Sequence, residues 1–232
     1  MTKLSEKSII ELVKREVKPA LGCTEPIAVS LAVSRASEEI MKLGLTVERV
    51  DVEVSANILK NGMGVGVPGT GMVGLHIAAA LGVTCGKSVY KLEVLRDLDS
   101  SSIEAAKKMV DGDLIGITIS KSDKKLYIKA ICTSGEHKSE VVIEENHDSI
   151  TSVNVDGTPL FKGTPVYGEN RQDNSETIEK RYLLTVKKIW DFALNVDFKD
   201  IEFILESETM NRALATEGLE NKYRSEEHTS EL

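Results

Sequence analysis

At 232 residues the chain is long enough for one large or two modest domains with a real core. A net charge of −8 and the absence of a basic stripe exclude nucleic acid as the main partner. No apolar run approaches the roughly 20 residues that span a bilayer, so no membrane partner is expected.

The opening "MTKLSEKSII" lacks the apolar core of a signal peptide. Cys23, Cys85 and Cys132 form neither a CxxC pair nor a disulfide pattern, which points to a reducing cytoplasm. Aromatic residues are only 4% of the chain, so Val, Ile, Leu, Ala and Met must build the core.

Residues 7–21 carry Ile9, Ile10, Val13 and Val17 on one face, an amphipathic helix that Pro19 should bend or stop. A second helix is expected over about 26–43, with Thr24 as its N-cap, Pro26 in its first turn and Gly44 closing it. Its first half is apolar on nearly all sides and should be buried. Val50, Val52 and Val54 alternate with Asp51 and Glu53, a strand with one buried face. A glycine-rich loop follows, and from it emerges a short apolar helix over about 72–81. Residues 89–95, "VYKLEVL", read as another strand, and Asp99 or Ser100 opens a helix to about Val110 with Glu104 in its first turn.

From Leu114 to Val155 four strand-like runs, "LIGITIS", "KLYIKAICT", "SEVVIEENH" and "ITSVNVD", suggest an antiparallel meander with hairpins at "KSDK" and "SGEHK". Residues 161–176 read as a linker. Helices follow at about 177–195 and 198–216. The expected fold class is α+β (mixed α/β). Its regions are a helical and glycine-loop part (1–112), the meander (113–160), the linker (161–176), a helical segment (177–223) and a tail (224–232).

Two GxGxxG matches, Gly64 to Gly69 and Gly69 to Gly74, lie in the glycine loop. A dinucleotide fingerprint needs a strand directly before it, and "NGMGVGVP" with Pro68 is a poor buried strand. "TCGKS" fails as a P-loop because Leu81 stands where the motif requires glycine. Such a loop can still present N–H groups to a carboxylate or phosphate, with Asn57, Lys60 and Asn61 upstream as donors, or it can serve tight packing. The four histidines form no close pair or HExxH, so an all-His zinc site is not expected. Cys23 lies just before a helix start, where unpaired N–H groups and the dipole favour a thiolate. The competing reading is a small packed residue.

Three blocks, "EVKPALGCTEPIAVSLA" (16–32), "SANILKNGMGVGVPGTGMVGLHIAAALG" (55–82) and "LEVLRDL" (92–98), closely resemble the L-cysteine desulfidase family. These are relatives of the iron–sulfur serine dehydratases, long filed as an uncharacterised protein family. "IEFILESETMNRALATEGL" (201–219) looks like the same family, so the resemblance runs from Ser8 to Tyr223. It implies a lyase that splits L-cysteine into sulfide, ammonia and pyruvate with a 4Fe-4S cluster. It also implies that Cys23 is the proton acceptor, with Thr24 and Glu25 as motif neighbours. Asn57, Lys60, Asn61, Gly69, Thr70, Gly71 and Met72 are candidates to bind the substrate carboxylate.

The family's cluster cysteines lie in its C-terminal half, beyond this sequence, so no metal is expected here and the chain alone is expected to be inactive. L-serine dehydration shares the elimination logic and is the alternative enzyme reading. A non-catalytic anion- or nucleotide-binding module using the glycine loop is the alternative of another class. A small amino-acid substrate is the expected partner, with a homo-oligomer left open. Arg224–Leu232, "RSEEHTSEL", is similar to a translated sequencing adapter, so the gene is expected to be cut near Tyr223.

Overall fold

A computed structural model describes residues 5–67, 69–163 and 184–220. The chain forms two compact units. One combines Met1–Pro19 with Tyr167–Ala215, and the other combines Ala20–Val166 with Thr216–Leu232. The expected fold class is the one observed: helices, a mostly antiparallel sheet and C-terminal helices.

The larger unit is organised around α2 (Thr24–Lys42) and a six-stranded sheet. The strands are β1 (Arg49–Val54), β4 (Ile115–Ile119), β5 (Tyr127–Ser134), β6 (His137–Glu144), β7 (Ile150–Val155) and β8 (Thr158–Lys162), in the order β4-β1-β5-β6-β7-β8. Alternation decides which face is buried, as expected for a period of two. Val50, Val52, Val54, Ile128, Ala130, Cys132, Val141, Ile143 and Val153 all point into the core.

Helix α2 lies on that face, against β5 and β6 on one side and α4 (Leu75–Thr84) on the other. Small residues allow the close approach. A Cβ on Gly82 of α4 would sit 2.7 Å from the Ser30 carbonyl oxygen and 2.9 Å from Val33 Cβ. Buried polar groups in this seat are satisfied. Ser30 Oγ donates to the carbonyls of Pro26 (3.1 Å) and Ala78 (2.7 Å), and Ser139 Oγ donates to that of Ala36 (2.6 Å). Ile27, Leu31 and Ile40 are fully buried, each contributing about 2 kcal/mol.

Several sequence expectations need correction. The first run of the expected meander, now β4, pairs parallel to β1, and β1 pairs antiparallel to β5. "KSDK" is therefore not a hairpin but a passage over β1, whereas "SGEHK" does form the β5–β6 hairpin. The additional strand β8 follows an Asp156-Gly157 turn in which both residues have positive φ, 48° and 78°. That is the type I′ pattern of a two-residue hairpin. The start of the expected linker, 161–162, belongs to β8.

Residues 89–95, expected as strand, instead fall largely in 3₁₀ turns (Ser88–Glu93) broken at Lys91, whose φ is 52°. Glu38 of α2 holds this segment, accepting from the Ser88 N–H (2.7 Å) and Ser88 Oγ (2.6 Å). Helix α5 (Ser100–Asp111) is capped by Asp99 with Ser102, rather than with Glu104. Their reciprocal bonds are 2.8 and 3.1 Å.

The smaller unit contains α1 (Glu6–Glu16), which ends before Pro19. It also contains α6 (Val186–Asn195), α7 (Phe198–Ile201), a 3₁₀ turn (Glu202–Ile204) and the first part of α8 (Leu205–Glu220). The linker from 164, the start of the expected 177–195 helix and the tail 224–232 lie outside the described residues. Among the described residues, no helix is long and apolar enough to cross a membrane.

Candidate functional site

Helix α2 starts two residues earlier than expected, so Cys23, and not Thr24, is the N-cap. Gly22 turns the chain into the helix with φ of 95°, a conformation that favours glycine. The Leu21 N–H donates to the Leu92 carbonyl at 3.3 Å, which pins the entry to the 3₁₀ segment. The Cys23 side chain does not cap the helix. Its Sγ instead donates to Glu25 Oε2 at 2.9 Å, and Thr24 Oγ1 donates to the same oxygen at 3.3 Å.

Glu25 Oε1 accepts from Asn61 Nδ2 at 3.3 Å. Asn61 lies near the end of α3 (Ala56–Gly62), whose Ile58 is buried. Helical spacing places Asn57 and Lys60 on the same face as Asn61, and both are exposed. Four expected residues, Cys23, Thr24, Glu25 and Asn61, thus share one hydrogen-bonded cluster.

The electrostatics reverse the expectation for Cys23. Burial, the hydrogen bond to Glu25 and the nearby Glu25 charge push its thiol up to about 11, although the N–H groups of Glu25 and Thr24 pull down. The helix start therefore acts as expected but is outweighed, and the resting form is a thiol. Burial pushes the Glu25 carboxyl up, but bonds from Cys23, its own N–H and Asn61, with the charge of His147, hold it below its ordinary value. The pair rests as thiol and carboxylate.

His147 is the residue that sequence reasoning set aside. It sits in the turn between β6 and β7, half-buried, and it is lowered by burial while Glu25 and Asp148 pull it up. No local pattern points to it, because only the fold brings that turn to the field of Glu25.

The glycine loop is built differently. It is a small hairpin, β2 (Gly66–Val67) with β3 (Met72–Val73), and α4 begins at Leu75 rather than 72. Met72 therefore lies on β3 and not at a helix start. Thr70 is buried, and its Oγ1 donates to the Val67 carbonyl (2.7 Å) and accepts from the Met72 N–H (3.0 Å). Gly69 and Gly71 are exposed turn residues with φ of 79° and 66°. Among the described residues, no hydrogen bond joins Thr70, Gly71, Met72, Asn57 or Lys60 to Cys23 or Glu25. The strand before the glycines is two residues long and outside the main sheet, unlike a dinucleotide-binding unit.

The cysteines do not converge. Cys85 caps the end of α4, with a thiol raised chiefly by burial. Cys132 lies in the core on β5, donates to the Val33 carbonyl at 3.8 Å, and is pushed up to about 12 by burial. Among the described residues no three His, Cys, Asp or Glu side chains form a metal-binding set. They do not fit the ligands of an iron–sulfur cluster.

Comparison with curated proteins finds relatives named UPF0597. The chain is 42% identical over 224 residues to one from Bacteroides fragilis, covering 96% of this chain and 50% of that protein. It is 42% identical over 223 residues to one from Parabacteroides distasonis, with 96% and 50% covered. It is 40% identical over 220 residues to one from Clostridium tetani, with 94% and 50% covered. The chain spans about half the length of the curated relatives it matches. No family model and no solved structure matches it.

Proposed function

We propose, from the premise that the chain is homologous to the UPF0597 proteins, that it supplies the proton-transfer site of a lyase acting on L-cysteine. The observation that carries this reading is the Cys23 thiol hydrogen-bonded to Glu25 at 2.9 Å, at the start of a buried helix. An α,β-elimination must take the Cα proton, and a thiol already engaged with a carboxylate forms a two-step path for it. As the Cα–H bond breaks, Cys23 sulfur takes that proton and passes its own to Glu25. The electron pair becomes the Cα=Cβ bond, and the Cβ–S bond breaks with sulfur leaving as sulfide. The aminoacrylate tautomerises to an imine, and water hydrolyses it to pyruvate and ammonia.

Asn61 holds the second carboxylate oxygen, keeping Oε2 toward the sulfur. Asn57 and Lys60, on the Asn61 face of α3, are suited to the substrate carboxylate, and the exposed Gly69–Gly71 turn is a further candidate. L-serine in place of L-cysteine requires the same proton path and differs in the leaving group. The resemblance assigns the Lewis acid for that group to residues outside this sequence.

The full-length Bacteroides fragilis relative, purified without oxygen, is the protein to assay. Sulfide and pyruvate from L-cysteine are the expected products. Pyruvate from L-serine alone would favour the dehydratase, and neither product would sink both enzyme readings. On this chain, S-methyl-L-cysteine, an analogue with no free thiol to consume the reagent, is expected to slow iodoacetamide labelling of Cys23, with Cys23→Ala as the blank. Unchanged labelling at saturating S-methyl-L-cysteine would remove Cys23 from the site.

A further inference from the structure

Helix α6 is amphipathic, and its apolar stripe faces outward. Helical spacing places Val186, Ile189, Trp190 and Leu194 on one side. These residues are 85%, 53%, 65% and 67% exposed. A polar strip borders it, with Lys187 paired to Asp191 at 2.9 Å and Asn195 beyond them. Phe198, at the start of α7, is also exposed. A helix of a folded protein ordinarily buries such a stripe, and an exposed apolar patch of this kind marks an interaction surface.

Length indicates the occupant. The curated relatives match this chain over only half of their own residues, so half of each has no counterpart here. A second copy is less suited, because chains of net charge −8 repel one another. We propose that the apolar face of α6 is the docking surface for the unmatched half of the UPF0597 proteins, which covers Val186, Ile189, Trp190 and Leu194.

The test co-expresses this chain with the tagged, unmatched half of the Bacteroides fragilis protein. Co-purification in equal amounts is expected. Emission from Trp190, the single tryptophan of this chain, should shift to the blue after subtraction of a Trp190→Phe control. Ile189→Asp with Leu194→Asp should weaken the complex at least about tenfold, because charges would enter a desolvated contact. Both residues are exposed, so the circular dichroism and unfolding of this chain should stay as in the parent. Trp190→Ala provides a milder second variant, and Asn195→Ala on the opposite side should change nothing. Absence of a complex, or a complex indifferent to the α6 substitutions, would overturn the proposal. A dimer of this chain alone that the aspartates dissolve would overturn it too, by giving the face to a second copy.

Discussion

At the start of α2 the polar side chains are turned toward one another across chain segments, whereas in the hairpin between α3 and α4 they are turned inward on their own turn. Cys23, Thr24 and Asn61 all donate to Glu25, which leaves a charged carboxylate at a half-buried surface. Thr70 spends its hydroxyl on Val67 and Met72, three and two residues away. The first arrangement concentrates reactivity on a helix fixed in the core. The second fixes a backbone path. A glycine-rich motif and a cysteine motif of similar salience thus serve different ends, and each can be broken separately.

The largest expected effect is on the backbone path. Gly74 has φ of 96°, and a Cβ there would lie 2.9 Å from the Met63 carbonyl oxygen. Gly74→Ala should cost about 3 kcal/mol in urea unfolding, combining backbone strain with a clash. If the two regions are separate, the labelling rate of the folded Cys23 thiol should not change. A changed rate would show that α3 couples them.

Next is Glu25→Gln, which removes the charge and the acceptor that help hold the Cys23 thiol up. Burial remains, so the thiol should fall only part of the way from about 11. Labelling by iodoacetamide at pH 9 should rise about tenfold, the factor for one pKa unit. A slower reaction would contradict the reading of this pair.

A third test uses pH. The folded-state pKa of Cys23 lies above its ordinary value, so the folded chain holds the proton more tightly. The stability this provides is fully present below about pH 9 and is lost as pH rises toward about 11. Cys132 acts in the same direction, toward about 12. Unfolding at pH 8 and pH 10.5 should show a smaller alkaline loss in Cys23→Ala than in the parent. Equal losses would remove Cys23 as a contributor. The smallest effect is expected for Asn61→Ala, which removes one 3.3 Å bond from an exposed group. It should change Cys23 labelling by less than about threefold, since such bonds are worth about 1 kcal/mol or less.

Elements whose signal is local were legible. The Val50, Val52 and Val54 alternation, the buried character of α2 and the hairpin at Gly135 all follow from short-range pattern. Gly44, just past α2, has the positive φ expected of a helix terminator. Asp156-Gly157 before β8 is likewise a strong local hairpin signal. Residues 89–95 misled because their apolar spacing suits a strand, while Glu38, from another helix, holds their start in a turn.

What was not legible depended on distant parts of the chain. Local sequence carries a helix-start preference for a thiolate, but not the burial and the carboxylate rotamer that outweigh it. It gives no sign that His147 comes near Glu25. The parallel partner of β1 likewise could not be found from either strand alone.

That pairing of β1 also bears on the order of assembly. Strands β5 to β8 follow one another in sequence, and each meets its neighbour through a short connection. Strand β1 must arrive from far upstream and slot between β4 and β5, closing a long loop each time. Loop closure of this kind is slow compared with hairpin formation. Pulsed hydrogen exchange during refolding should therefore protect the amides of Val141 and Val153 before those of Val52 and Val54. Simultaneous protection would mean that the sheet forms as a single nucleus.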